Sequence, residues 1–198
     1  MPETTPAHAA VVLAAGGSRR LGRSKQLVAH SREALVHRAA RLAQTTFPAC
    51  TVVVVGAEAD AVQAAVADLP VRCIECPDWR RGMGASLRAG LAALPAGSAG
   101  ALIVVCDQPF LEAAHLQRLV HAWQAQPQRA AASLYAGRLG VPALLPRAWF
   151  DALDGGDGGA RELLARRGGE VAAIADERLA FDIDRPADLA RLRDPPPR

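Results

Sequence analysis

The sequence predicts an α/β protein with a mostly parallel sheet covered by helices on both faces. Three observations carry this. Short continuous apolar runs recur along the first two thirds of the chain, most are followed by a stretch of helical periodicity, and Gly or Pro marks the changeovers.

Ala9 to Ala14 is the first such run, apolar throughout and suited to a strand buried on both faces. It breaks into a loop rich in Gly and cations, Ala15 to Lys25. Glu33 to Gln44 has helical spacing, with Leu35, Ala39 and Leu42 on one face. Thr51 to Val55 is β-branched and stops at Gly56, a second strand. Ala59 to Leu69 is an Ala-rich helix, and Val71 to Glu75 a third strand. Ser86 to Leu94 is a helix that opens after Gly82-Met83-Gly84. Ala101 to Val105 is a fourth buried strand, stopped by Asp107-Gln108-Pro109, and Leu111 to Gln124 is a helix closed by Pro127.

Beyond about residue 130 the rhythm changes. Ala130 to Tyr135 and Val141 to Leu145 read as short strands joined through Gly137-Arg138. A Gly-rich segment, Gly155 to Gly159, leads into the helix Ala160 to Arg167. Val171 to Ala175 and Leu179 to Ile183 are the last strands expected, and Pro186 to Leu192 the last helix. No repeat or long linker divides the chain, so residues 1–198 read as one domain, with 1–8 and 194–198 frayed.

Composition removes several classes of function. With 198 residues the chain can bury one sizeable core, and 51% hydrophobic against 22% charged residues is the balance of a globular protein. The net charge of +3 is small and spread along the chain, unlike a nucleic-acid-binding face. No apolar run approaches the length of a membrane span, and Met1 to Ala10 lacks the basic and apolar regions of a signal peptide. Four Cys do not make a disulfide scaffold. The expectation is a cytoplasmic protein with neither nucleic acid nor membrane as partner.

Three constellations carry chemistry. The loop after the first strand sits where open α/β sheets bind ligands. Gly16, Gly17 and Gly22 let backbone amides approach an anion, and Arg19, Arg20, Arg23 and Lys25 place four cations within seven residues. A triphosphate, with about four negative charges near neutral pH, suits such a loop; a solvated basic turn is the alternative. The loop is neither a Walker A motif nor a dinucleotide fingerprint, since its glycine spacing fits neither.

Asp107 ends the strand from Ala101 at the same sheet edge, where a carboxylate can hold Mg²⁺ against phosphate oxygens. The alternative role, capping the helix at Leu111, is weakened by four residues of separation that include Pro109. In Asp182-Ile183-Asp184, one of the two carboxylates is expected to face the site. Asp184 is either a second metal ligand or the N-cap of the helix begun by Pro186.

Six segments in order, spanning nearly the whole chain, resemble the MobA-like nucleotidyltransferase family, and within it the molybdenum cofactor cytidylyltransferase branch. They are Leu13 to Gly22 with Lys25; Gly82 to Leu87 with Gly90; Asp107-Gln108-Pro109; Gly140-Val141-Pro142; Gly156 to Arg161; and Asp182 to Pro186 with Asp188-Leu189. The resemblance implies a Rossmann-like three-layer sandwich, Mg²⁺ as cofactor, and transfer of CMP from CTP to a molybdopterin-bound molybdenum cofactor with release of pyrophosphate. It also implies a molybdenum enzyme as a partner that receives the product.

By the same resemblance, Leu13, Ala14, Ala15, Gly16 and Gly17 line the base and phosphates, and Ser86 lies near the nucleoside. Arg20 and Lys25 meet the triphosphate, Asp107 and Asp184 bind the metal, and Asp157 and Arg161 belong to the acceptor side. Ala14-Ala15-Gly16 resembles the CTP-using branch rather than the GTP-using one. Another phosphorylated acceptor, such as a sugar phosphate or isoprenoid precursor, or a silent nucleotide-binding protein that delivers cofactor, are the competing expectations.

Other signals read as structural. Cys73-Ile74-Glu75-Cys76 closes a strand and has no second ligand pair for zinc. His115 and His121 stand six apart on one helix and do not form a metal pair. Trp79, beside Arg80 and Arg81, either stacks on a base or anchors its loop, and the anchor is the preferred reading.

Overall fold

The computed structural model describes residues 6–153 and 159–192. Strand β1 is His8–Ala14; a small hairpin, β2 (Ala29–His30) and β3 (Glu33–Ala34), leads into helix α1 (Leu35–Gln44). Then come β4 (Thr51–Val55), α2 (Ala59–Ala64), β5 (Arg72–Glu75), α3 (Met83–Ala92), β6 (Gly100–Val105) and α4 (Ala113–Ala125). The hairpin β7 (Ala130–Tyr135) and β8 (Arg138–Pro146) is followed by α5 (Gly159–Arg166), β9 (Val171–Ala175) and α6 (Pro186–Arg191).

Seven strands form one sheet in the order β5-β4-β1-β6-β8-β7-β9. All neighbours are parallel except the two that involve β8, which runs against β6 and β7. The period of two along β1 divides the core. Ala10, Val12 and Ala14 face the layer of α1 and α4, while Ala9, Val11 and Leu13 face that of α3 and α5. The three-layer α/β sandwich expected from the strand–helix rhythm is the observed fold. Chain crossovers leave β1 in one direction toward β4 and return on the other side through β6, so the carboxyl ends of β1 and β6 flank a topological switch point.

Four expectations need correction. His8 is part of β1 and buried, its ring nitrogen bonded to Thr46 Oγ1 at 2.9 Å, so the frayed segment does not extend to residue 8. The helix from Ala59 ends at Ala64 rather than Leu69, its short apolar face reduced to Val62. Strand β8 begins at Arg138, because Ala136 and Gly137 both take positive φ and close a tight hairpin. Leu179 to Ile183 is not a strand: Glu177–Ala180 is a 3₁₀ turn and the following residues are irregular. Sheet edge β9 is thereby left without a further partner, and the chain crosses the ends of the strands instead. Asp157 and most of the Gly-rich segment, like residues 1–5 and 193–198, lie outside the described residues. Among the described residues, no helix is long and apolar enough to cross a membrane.

Candidate active site

A cavity of about 330 Å³, within the range of small-molecule sites, opens at the carboxyl ends of β1 and β6. Its apolar floor is Leu13, Ala15 and Val105, and its far wall is α3, with Met83 and Ser86. Gly16, Gly17, Arg19 and Lys25 line the side formed by the basic loop, and Asp107 stands at the end of β6. Alternation along β1 turns Ala14 away: its methyl lies in the core under α1, and its carbonyl accepts a hydrogen bond from Gln26 Nε2. Of the residues expected at the nucleotide, Ala14 is thus a support and not a lining residue.

The charged residues gather at the mouth. Lys25 Nζ lies 2.5 Å from Asp107 Oδ2 and 3.3 Å from Asp184 Oδ1, and Arg20 holds Asp184 Oδ2 at 2.9 Å. Burial disfavours the Lys25 charge, but the charge and hydrogen bond of Asp107 outweigh it, with help from Asp184, and the ammonium pKa is raised. Two carboxylates from segments 77 residues apart therefore converge on one cation position. Hard oxygen donors so arranged fit a divalent ion that completes its shell with water and phosphate oxygens.

The irregular segment before α6 makes this possible. Ile183 N–H donates to Asp107 O at 3.0 Å, fastening the segment across the end of β6. Asp188 Oδ2 accepts from the amides of Asp184 and Arg185, so Asp188 caps α6 and leaves the Asp184 carboxylate free for Lys25 and Arg20. Asp184 is not the helix cap. Nor is Asp184 alone at the site: residues two apart on an extended chain share a face, and Asp182 is near enough to Asp107, Lys25 and Asp184 to feel their charges. Asp182 keeps one side in solvent, yet desolvation, then the charges of Asp107 and Asp184, push its carboxyl up to about 7 against Lys25 and Arg161. Arg161, on the first turn of α5, is near enough to Tyr135 and Asp182 to act on the ionisation of both.

Several residues outside the expected site set also shape the cavity. Trp79 is an anchor and a cavity wall together. Its ring packs so tightly on Gly17 and Gly56 that a Cβ at either would come within 2.9 Å of it, and Arg80 stacks over it at 4.6 Å. Gln108 is buried, and its Nε2 donates to Val141 O at 3.1 Å and Leu179 O at 3.0 Å, tying β8 and the crossing segment to the end of β6. Cys106 lines the cavity, but burial and Asp107 push its thiol up to about 12, too high for a nucleophile near neutral pH. The Cys-x-x-Cys pair remains as free thiols, and among the described residues no group of three His, Cys, Asp or Glu is placed to hold a metal.

The profile of the MobA-like NTP transferase domain matches residues 10–171. The chain belongs to the MobA-like NTP transferase family, a family of nucleotidyltransferases. Its full-length relatives differ in name. A nicotine blue oxidoreductase of Paenarthrobacter nicotinovorans is 32% identical over 201 residues, covering 94% of this chain and 97% of that protein. A molybdenum cofactor guanylyltransferase of Rhodobacter capsulatus is 33% identical over 189 residues, with 94% and 95% covered. Among solved structures, Rv0371c of Mycobacterium tuberculosis superposes with a TM-score of 0.84 at 30% identity, over 96% of this chain and 98% of that one. Its manganese complex matches over the same shares, with a TM-score of 0.79 at 27% identity.

Proposed function

We propose that the chain transfers CMP from CTP to a phosphorylated acceptor of molybdopterin type, releasing pyrophosphate. The observation that carries this reading is the convergence of Asp107, Asp184 and Lys25 beside a cavity bordered by a cationic, glycine-rich loop. Leu13, Ala15 and Ser86 would border the nucleoside; Gly16, Gly17, Arg20 and Lys25 would take the triphosphate. Asp107 and Asp184 would hold Mg²⁺, which supplies charge neutralisation to the phosphates. Arg161, with Asp157, would face the acceptor.

The chemistry asks little of the protein beyond placement and charge. An acceptor phosphate is already ionised near neutral pH, so no general base is required. Its oxygen attacks the α-phosphorus, the bond to the bridging oxygen of the β-phosphate breaks, and pyrophosphate departs with the electron pair. Lys25 and Arg20 stabilise the charge that builds on the leaving group.

CTP is preferred on the likeness of Ala14-Ala15-Gly16 to the CTP-using branch, whereas the R. capsulatus relative favours GTP. The P. nicotinovorans relative is named an oxidoreductase, a reading that gives the Asp107–Asp184 pair no role. One experiment separates these readings. Purified protein with Mg²⁺ is assayed for pyrophosphate with CTP, GTP, ATP and UTP, against molybdopterin-bound molybdenum and, separately, a sugar phosphate and an isoprenoid phosphate; nucleotide binding is measured alongside, and NADPH oxidation in place of pyrophosphate release would favour the oxidoreductase reading. Release with CTP alone supports the proposal, and release with GTP alone transfers it to the guanylyl branch. Pyrophosphate only with a sugar phosphate or isoprenoid phosphate reassigns the acceptor, and nucleotide binding without any release leaves a silent carrier.

A further inference from the structure

We infer that Gln26 fixes the orientation of the phosphate loop and is a positioning residue for the triphosphate. The inference rests on the proposed reading of the cavity as a nucleoside triphosphate site. In the loop, the carbonyls of Ala14, Ala15, Gly16 and Ser18 are occupied, whereas four successive amides are not. Gln26 Nε2 donates to Ala14 O at 3.1 Å and Gly16 O at 2.6 Å. Ala15 O accepts from Ala57 N–H at 3.0 Å, and Ser18 O from the amides of Leu21 and Gly22 at 3.0 and 3.2 Å. The amides of Gly16, Gly17, Ser18 and Arg19 donate to no acceptor among the described residues. Successive amides left without partners form an anion-binding concavity.

Each peptide unit joins one carbonyl to the next residue's amide, so holding Gly16 O also holds the Gly17 N–H. Glycine on both sides makes that peptide cheap to flip, and a flipped unit would present oxygen to a phosphate. The Gln26 clamp opposes the flip. Its own orientation is settled by chemistry: two carbonyls can be met only by an NH₂ group. Its Oε1 then accepts from the hydroxyls of Ser18 at 3.2 Å and Ser24 at 2.8 Å. Gln26 is 1% exposed and stands among the residues lining the cavity, so this is a saturated polar side chain held against the loop.

The test is calorimetric titration with CTP and Mg²⁺, with inorganic triphosphate, and with cytidine, on wild type, Gln26→Met and Ser24→Ala. Methionine keeps the volume and removes the donors. For Gln26→Met we expect affinity for CTP and inorganic triphosphate to fall about tenfold, with cytidine unchanged, because only the phosphate part meets the loop. Ser24→Ala, which leaves Gln26 in place but less firmly held, should lose about threefold in the same pattern, and it decides the matter if Gln26→Met does not fold. Equal loss for cytidine and CTP would assign Gln26 to general packing and overturn the inference, as would unchanged affinity. Wild type that binds no nucleoside triphosphate would overturn the reading of the cavity, and the role of Gln26 with it.

Discussion

Lys25 is held by two carboxylates from distant segments, and this separates it from the solvated lysine a basic turn would carry. Removing a preorganised charge of this kind typically costs about 10²–10³ in rate. Lys25→Ala is therefore expected to lower pyrophosphate release by at least that factor, and Asp107→Ala by more, because it also removes a proposed metal ligand. Wild-type turnover by folded Asp107→Ala protein would refute the assignment. At this scale the sequence was most informative where chemistry is local: Lys25, Asp107 and the loop glycines announce themselves by charge and spacing. Gln26 and Gln108 do not, since an amide takes its meaning from the carbonyls it meets, and those lie on other segments. Ala14 is expected at the nucleotide because the resemblance covers Leu13 to Gly17 as one continuous stretch, whereas strand alternation turns its methyl into the core.

The elements divide in the same way. The parallel strands and their helices were legible because each has its own periodicity. The segment from Leu179 to Ile183 has the composition of a strand, but its partners are the ends of other elements, through Ile183 N–H on Asp107 O. Asp188 is the residue that should expose this arrangement. Asp188→Ala removes the acceptor for two amides at the start of α6, an N-terminal capping loss of about 1 kcal/mol, or roughly 2–4 °C in Tm. It should also weaken Mn²⁺ binding in a spectroscopic titration, as the loop carrying Asp184 loosens; a lower Tm with unchanged Mn²⁺ affinity would show that the cap does not serve the site. Helix α3 offers a second test. A Cβ on Gly90 would sit 2.5 Å from Val11 Cγ1 and 2.9 Å from Val54 Cγ2, so Gly90→Ala forces α3 off β1 and β4. Overpacking of this sort costs about 1–3 kcal/mol in denaturant unfolding, and adding Val11→Ala should return part of it.

Across the whole molecule, His115 makes one contribution to the pH dependence of stability, opposed in sign by the raised carboxyl of Asp182. His115 is 1% exposed, its Nε2 meets Ser133 Oγ at 2.8 Å, and burial, only partly offset by Asp176, depresses its pKa to about 4. The unfolded chain takes up a proton near pH 6.5 and the folded one does not. The stabilising contribution is thus complete above about pH 6.5 and is lost as pH falls toward 4, by up to about 3 kcal/mol. Because the other groups titrate in both proteins, His115→Gln should lose less Tm than wild type, or gain more, as pH falls from about 6.5 to about 4; identical dependence of Tm on pH would contradict the assignment. The same global arrangement that buries His115 under β7 brings the ends of β1, β6 and the segment before α6 to one edge, and the central claim is that this edge moves a nucleotidyl group. The most direct measurement follows label from CTP carrying it at the α- or the γ-phosphate, with molybdopterin-bound molybdenum and Mg²⁺. α-Label is expected on the acceptor and γ-label only in pyrophosphate. Transfer of γ-label to the acceptor, or retention of both labels in unconverted nucleotide by protein that binds CTP, would contradict it.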